Sequence, residues 1–311
     1  MMELVWPRKT RELVTRYFDS TVWNEFEYRD DDIVIATYAK SGTTWMQQIV
    51  SQLIFNGAPD VAVRALSPWL DMRILDKDKL LADLEAQRHR RFIKTHLPID
   101  ALVYSPRAKY IFVGRDGRDA LWSFFDHNCN MTQQQLKKLN NGPERLGPGI
   151  THPNGPVRQY FLEWLERDGY PIWPFWSHIR DWCGVAHLPN LLILHYADLK
   201  AALPGQVRRV ASFLGIKIDE DRFPDILEHC SFDYMKANAE LLAPNGGTTW
   251  RSGAQGFINK GVNGRWNDIL TPADIAHYEI DAKNRLGERL AAWLAGGGQL
   301  QNNMPSSFNH F

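Results

Sequence analysis

Short, continuous apolar runs alternate along this chain with stretches in which apolar residues recur every three or four positions. Ile33-Val34-Ile35-Ala36-Thr37 is the first such run, and its lack of polar alternation predicts a strand buried on both faces. Trp45, Met46, Ile49, Val50, Leu53 and Ile54 then fall at helical spacing on one stripe, which predicts a helix from about Thr43 to Ile54. Arg91 to Lys94 reads as a second strand. Lys109 to Gly114 reads as a third, followed by a helix from about Arg118 to His127. Leu191 to Tyr196 reads as a fourth, followed by a helix from about Gly205 to Leu214. Strands separated by helices predict the α/β class, as a single domain with a central parallel sheet flanked by helices.

Two stretches break the pattern. Leu139 to Gly155 is rich in Gly, Pro and Asn and reads as a surface loop or lid. Leu241 to Asn263 is glycine-rich with little periodicity and reads as a second long loop. Loops of that length inside a compact domain usually carry function or mobility. From Gly296 onward the composition is that of a flexible tail, residues 296–311.

Composition narrows the function classes. A chain of 311 residues can bury a sizeable core. Thirty-six basic residues balance 36 acidic ones, so no global field draws it to nucleic acid or a membrane surface, and any anion site is local. The three cysteines, Cys129, Cys183 and Cys230, have no metal-ligand spacing and form no disulfide framework, which fits a reducing compartment. No metal site is implied. The N-terminus lacks the apolar run of a signal peptide, and no segment reaches the ~18 continuous apolar residues of a membrane span. The expectation is a soluble, cytoplasmic protein. The tryptophans between Trp164 and Trp182 are either core packing or an aromatic wall around a pocket.

The chemistry starts at Tyr38-Ala39-Lys40-Ser41-Gly42-Thr43-Thr44-Trp45, between the first strand and its helix. The first N–H groups of a helix have no intrahelical partner, and the helix dipole favours an anion there. Gly42 permits a tight turn, Ser41, Thr43 and Thr44 add hydroxyls, and Lys40 adds a point charge. This is a P-loop-like, phosphate-binding strand-loop-helix. The Gly-Lys-Ser/Thr order of nucleoside triphosphatases is absent, because Lys40 precedes the glycine. The plainer alternative is a helix start with a solvated lysine.

Three further stretches follow in order: Lys94-Thr95-His96-Leu97-Pro98, then Arg115-Asp116-Gly117-Arg118-Asp119 with Ser123, then Phe257 to Trp266 around Lys260-Gly261. With weaker echoes at Tyr196 to Lys200 and Cys230-Ser231-Phe232, they make the chain resemble the cytosolic sulfotransferase family from about Val22 to Trp266. The resemblance implies a sulfotransferase domain over residues 1–295 and 3′-phosphoadenosine 5′-phosphosulfate (PAPS) as donor. It implies adenosine 3′,5′-bisphosphate (PAP) as product. By resemblance, Lys40 serves the bridging oxygen, Lys94 the sulfuryl oxygens, and His96 is the general base. The backbone groups of Ser41, Gly42, Thr43 and Thr44 would hold the 5′-phosphate. Arg115, Ser123, Asn259, Lys260 and Gly261 would hold the 3′-phosphate, with Ser123 also in the catalytic set. Trp45 and Phe232 would sandwich the adenine, though Trp45 equally suits the core stripe of its helix. Tyr196 and Cys230 complete the donor-binding set.

The chain departs from the family at four places. Asn259 stands where an arginine is usual, leaving a charge-assisted contact to be supplied by Arg251 or Arg265. Cys230 stands for a threonine, and Arg265 for an acidic residue. The C-terminal dimerisation motif of many animal members is missing, so oligomeric state stays open. A kinase or triphosphatase reading has one candidate magnesium ligand, Asp198, and a non-catalytic nucleotide binder is a further alternative. Phe124, Phe125, the tryptophans and the Leu139 to Gly155 segment suggest a small-molecule acceptor, an aromatic or lipophilic alcohol.

Overall fold

The computed structural model describes residues 4–147, 149–170 and 173–300. Four strands form one sheet in the order β2-β1-β3-β4: β1 (Ile33–Thr37), β2 (Phe92–Thr95), β3 (Lys109–Gly114) and β4 (Leu191–His195). All pairings are parallel, with Ile35 opposite Lys94 and Ile111, and Gly114 opposite His195. The fold is a single α/β domain with helices on both faces of the sheet, as the run-and-stripe pattern predicts.

Side-chain alternation divides the core in two. Val34, Ala36, Ile93, Tyr110 and Phe112 point into one cluster, and Ile33, Ile35, Phe92, Ile111 and Val113 into the other. Each strand is apolar on both faces because each face is covered. The helix after β1 runs Thr43–Ile54 and lays Met46, Ile49, Val50 and Leu53 on the second cluster. Its other side is buried too. The side-chain amides of Gln47, Gln48 and Gln52 donate there to the carbonyl oxygens of Ser67, His229 and Ala58, at 2.7, 3.0 and 3.0 Å.

Some boundaries differ from the sequence reading. The fourth strand stops at His195, because Tyr196 already opens the helix Tyr196–Ala201, capped by the His195 ring on the Ala197 N–H. The helix after β3 extends to Gly117–Asn130, with Asp116 as its N-cap. The Leu139 to Gly155 segment is not a free lid. It begins inside the helix Gln133–Asn140, buries Leu139, Leu146 and Ile150, and is tied down by two arginines. Arg16 donates to the carbonyl oxygens of Asn140 and Gly147, and Arg73 to those of Leu139 and Asn141. The Leu241 to Asn263 segment folds into short helices, Pro244–Gly247 and Gly253–Phe257 among them.

Among the described residues the last helix is Glu288–Gly296. Gly298 then donates to the Asp198 carboxylate at 2.9 Å, and Leu300 packs on the core. Most of the expected tail, residues 301–311, lies outside the described residues. Among the described residues, no helix is long and apolar enough to cross a membrane.

Candidate active site

Parallel strands open their C-terminal ends on one edge, and ligands in α/β sheets bind there. The segments leaving Thr37, Thr95, Gly114 and His195 carry Lys40, His96, Arg115 and Tyr196 into the wall of one cavity of about 680 Å³. The local turn after β1 explains the cradle. Lys40 and Gly42 have positive φ, 63° and 100°, and no side chain caps the Thr43 helix, so its first N–H groups remain available. A Cβ on Gly42 would lie 2.8 Å from the Tyr196 ring, so both the turn and the close approach require glycine.

Three groups define the reacting wall. Lys40 Nζ lies 3.3 Å from His127 Nδ1 and 5.2 Å from the centre of the Phe257 ring. Burial, then the nearby charges of Arg115 and Lys94, draws its pKa down to about 7. Lys94 sits over the Trp69 ring at 5.5 Å, and burial draws it down to about 8. His96 donates from Nδ1 to the Thr37 carbonyl oxygen at 2.8 Å, and its ring stands edge-on to Trp69 at 4.7 Å. Burial, then Lys94, lowers it to about 3. Cations are costly in this wall, and an anion in the cavity would relieve that cost.

A second cationic group lies toward the Gly261 loop. Arg115 stacks on Tyr196 at 4.1 Å and donates to the Lys40 carbonyl and to Asn263 Oδ1, each at 2.7 Å. Asp126 gathers Arg265 at 2.7 Å, Asn259 Nδ2 at 2.9 Å and Lys260 at 3.9 Å. The Nε groups of Arg115 and Arg265 are buried without a hydrogen-bond partner. Unsatisfied buried donors of this kind call for an anionic acceptor.

A family model described as the sulfotransferase domain matches residues 30–289. The chain belongs to the sulfotransferase family. It is 35% identical over 306 residues to a glycolipid sulfotransferase of Mycobacterium bovis, covering 90% of this chain and 92% of that protein. It is 28% identical over 274 residues to sulfotransferase 2A6 of Rattus norvegicus, with 83% and 85% covered. A structure of retinol dehydratase in complex with retinol and PAP superposes with a TM-score of 0.64 at 25% identity, covering 86% of this chain and 84% of that one. Mouse sulfotransferase SULT7A1 complexed with PAP shares the fold with a TM-score of 0.67 at 22% identity, covering 88% and 93%.

The sulfotransferase brings nearly every expected site residue into the cavity wall: Lys40, Gly42, Thr43, Thr44, Trp45, Lys94, His96, Arg115, Ser123, Tyr196, Phe232, Asn259, Lys260 and Gly261. Ser41 and Cys230 are not among the lining residues. Both are fully buried and lie outside the wall. Ser41 turns under the loop, with its N–H on the Tyr38 carbonyl, and Cys230 acts through its own carbonyl, which accepts from Trp45 Nε1 at 2.8 Å. Arg118 also turns away. It pairs with Asp116 at 2.7 Å and stacks on Trp266 at 3.8 Å. Phe125 packs on Tyr160 instead of the cavity, whereas Phe124 lines it. Of the clustered tryptophans, Trp164, Trp176 and Trp182 are core and only Trp173 reaches the wall.

Geometry distinguishes the two candidate arginines and locates Asp198. Arg265, not Arg251, lines the cavity of the sulfotransferase; Arg251 is exposed and contacts His152 at 3.1 Å. Asp198 accepts from the Gly298 N–H at 3.0 Å and is not among the residues lining the cavity. Sequence reading missed His127 and Asp126. The available signal was helical spacing, since His127 is one turn beyond Ser123 on the same helix face.

Proposed function

We propose that the enzyme moves the sulfuryl group of PAPS onto a hydroxyl, or an amine, of a small and largely apolar acceptor, releasing PAP. The observation that carries this reading is the convergence of Lys40, Lys94 and a neutral, oriented His96 on one cavity whose far wall is apolar. The residues fit such a donor: Arg115 and Arg265 have buried Nε donors without a partner, and the Thr43 helix presents uncapped N–H groups.

PAPS supplies an activated sulfuryl group and a bisphosphate leaving group. The uncapped turn from Gly42 to Trp45 receives the 5′-phosphate. Arg115, Ser123, Lys260 and Arg265 receive the 3′-phosphate, with Arg265 taking the role left open at Asn259. Trp45 and Phe232 flank the adenine. A Cβ on Gly261 (φ 63°) would meet the Phe232 ring at 2.8 Å, so that loop too depends on glycine. Lys40 stands for the departing oxygen and Lys94 for the sulfuryl oxygens, where compact ammonium groups can follow moving charge.

His96 takes the acceptor's proton at Nε2. Burial, then Lys94, holds it neutral, which is the basic form, and a bound polyanion offsets Lys94 and Lys40 and raises its proton affinity. Tyr17, Trp69, Met72, Ile74, Leu75, Met131 and Trp173 line the acceptor side, as suits an aromatic or lipophilic alcohol. The glycolipid-sulfating relative supports a lipid-bearing member of that class. The test is a panel of phenols, sterols, lipid alcohols, glycolipids, amines and sugars with PAPS. Turnover is expected with apolar alcohols and not with free sugars. Tight PAP binding without turnover of any of them would overturn the reading.

A further inference from the structure

We infer that His127 is a positioning residue for Lys40: a neutral imidazole acceptor that sets where the lysine's ammonium group sits on the cavity wall. The inference rests on the proposed assignment of Lys40 to the departing oxygen. Lys40 Nζ lies 3.3 Å from His127 Nδ1, and both side chains line the cavity. An ammonium group has donors only, so Nδ1 is the acceptor and the ring carries its proton on Nε2. Burial, then the charges of Lys40 and Lys94, keeps this imidazole neutral, well below its ordinary titration range.

The ring is held in an aromatic box. It stands edge-on to Trp250 at 5.1 Å and to Phe257 at 6.2 Å, and stacks on Phe124 at 6.3 Å. Phe257 also receives the Lys40 ammonium on its face at 5.2 Å. At the other end, Arg115 holds the Lys40 carbonyl at 2.7 Å. The flexible lysine stem is therefore fixed at its backbone and at its tip. A carboxylate in place of His127 would orient the ammonium equally well but would neutralise it and repel an anionic donor. A neutral acceptor orients the charge and leaves it available.

The test compares His127→Phe, which keeps a ring and removes the acceptor, with His127→Asn, whose Oδ1 can stand near the place of Nδ1. Lys40→Met is measured alongside. The assay uses PAPS with the fastest acceptor of the panel, a pH profile of kcat, and calorimetric PAP binding. A displaced ammonium in His127→Phe is expected to lower kcat about 10- to 100-fold, with PAP affinity within about threefold of wild type. His127→Asn is expected to recover most of that loss. The alkaline limb of the profile moves to lower pH in His127→Phe, because the ammonium loses an acceptor while Lys94, Arg115 and Asp126 still face it.

Wild-type kcat and pH profile in His127→Phe, with Lys40→Met inactive, would overturn the inference and leave the Lys40 assignment standing. Parallel loss of PAP affinity and turnover in both His127 variants would make the residue a packing element and also overturn it. Full kcat in Lys40→Met would overturn the assignment beneath it.

Discussion

His96 Nδ1 lies 2.8 Å from the carbonyl oxygen of Thr37, so the end of β1 orients the imidazole that follows β2. Because Nδ1 carries the proton, the lone pair lies on Nε2, the nitrogen left for the acceptor. General-base catalysis contributes about 10²- to 10⁴-fold. His96→Ala is expected to reduce turnover by that factor while calorimetric PAP affinity stays within about threefold of wild type. Turnover near the wild-type rate would remove His96 from the mechanism.

Donor binding is expected to take up protons. Burial lowers the pKa of Lys40 to about 7 and that of Lys94 to about 8. A bound polyanion favours both ammonium forms and raises both values, so PAP affinity falls as pH rises from 7 to 9. Calorimetry at pH 8 in buffers of different ionisation enthalpy reads the uptake directly, since the PAP phosphates are already deprotonated there. An affinity independent of pH between 7 and 9 would contradict the electrostatic account of this wall.

Gly42→Ala is expected to damage the cradle without touching the reacting wall. The new Cβ would meet the Tyr196 ring at 2.8 Å, on a residue whose φ is 100°. Strain of about 1–3 kcal/mol should appear as a lower melting temperature, together with at least about tenfold weaker PAP binding. Unchanged binding would show that the 5′-phosphate does not sit on this turn.

Arg265 and Arg251 can be separated by nucleotide preference. Arg265 lines the cavity beside Asp126, whereas Arg251 contacts His152 outside it. Loss of one charge-assisted contact is worth about 1.5–3 kcal/mol. Arg265→Ala should therefore reduce the preference for PAP over adenosine 5′-monophosphate by about 10- to 100-fold, and Arg251→Ala should leave it unchanged. The reverse pattern would move the 3′-phosphate contact to Arg251.

What lies close along the chain was legible in its residues. The apolar runs defined the four strands, the stripe from Trp45 to Ile54 defined the first helix, and the order Lys40-Ser41-Gly42 marked an anion cradle. These are local properties, set by side-chain type and by the two- and 3.6-residue periods of strand and helix. The motif at Lys94 to Pro98 likewise marked the end of β2, where parallel strands expose ligand-binding residues.

Only the tertiary structure decided which polar groups face the cavity and what each one touches. Ser41 sits in the cradle motif yet turns under it, while Ser123 and His127, a turn apart on one helix, both reach the wall. Arg251 and Arg265 are chemically equal in the sequence, and their separation rests on Asp126, more than a hundred positions earlier. Lys40 meets His127 because β1 and β3 are neighbours in the sheet. Spacing along the chain carries no information about such contacts, which arise when packing brings distant backbones to a common edge.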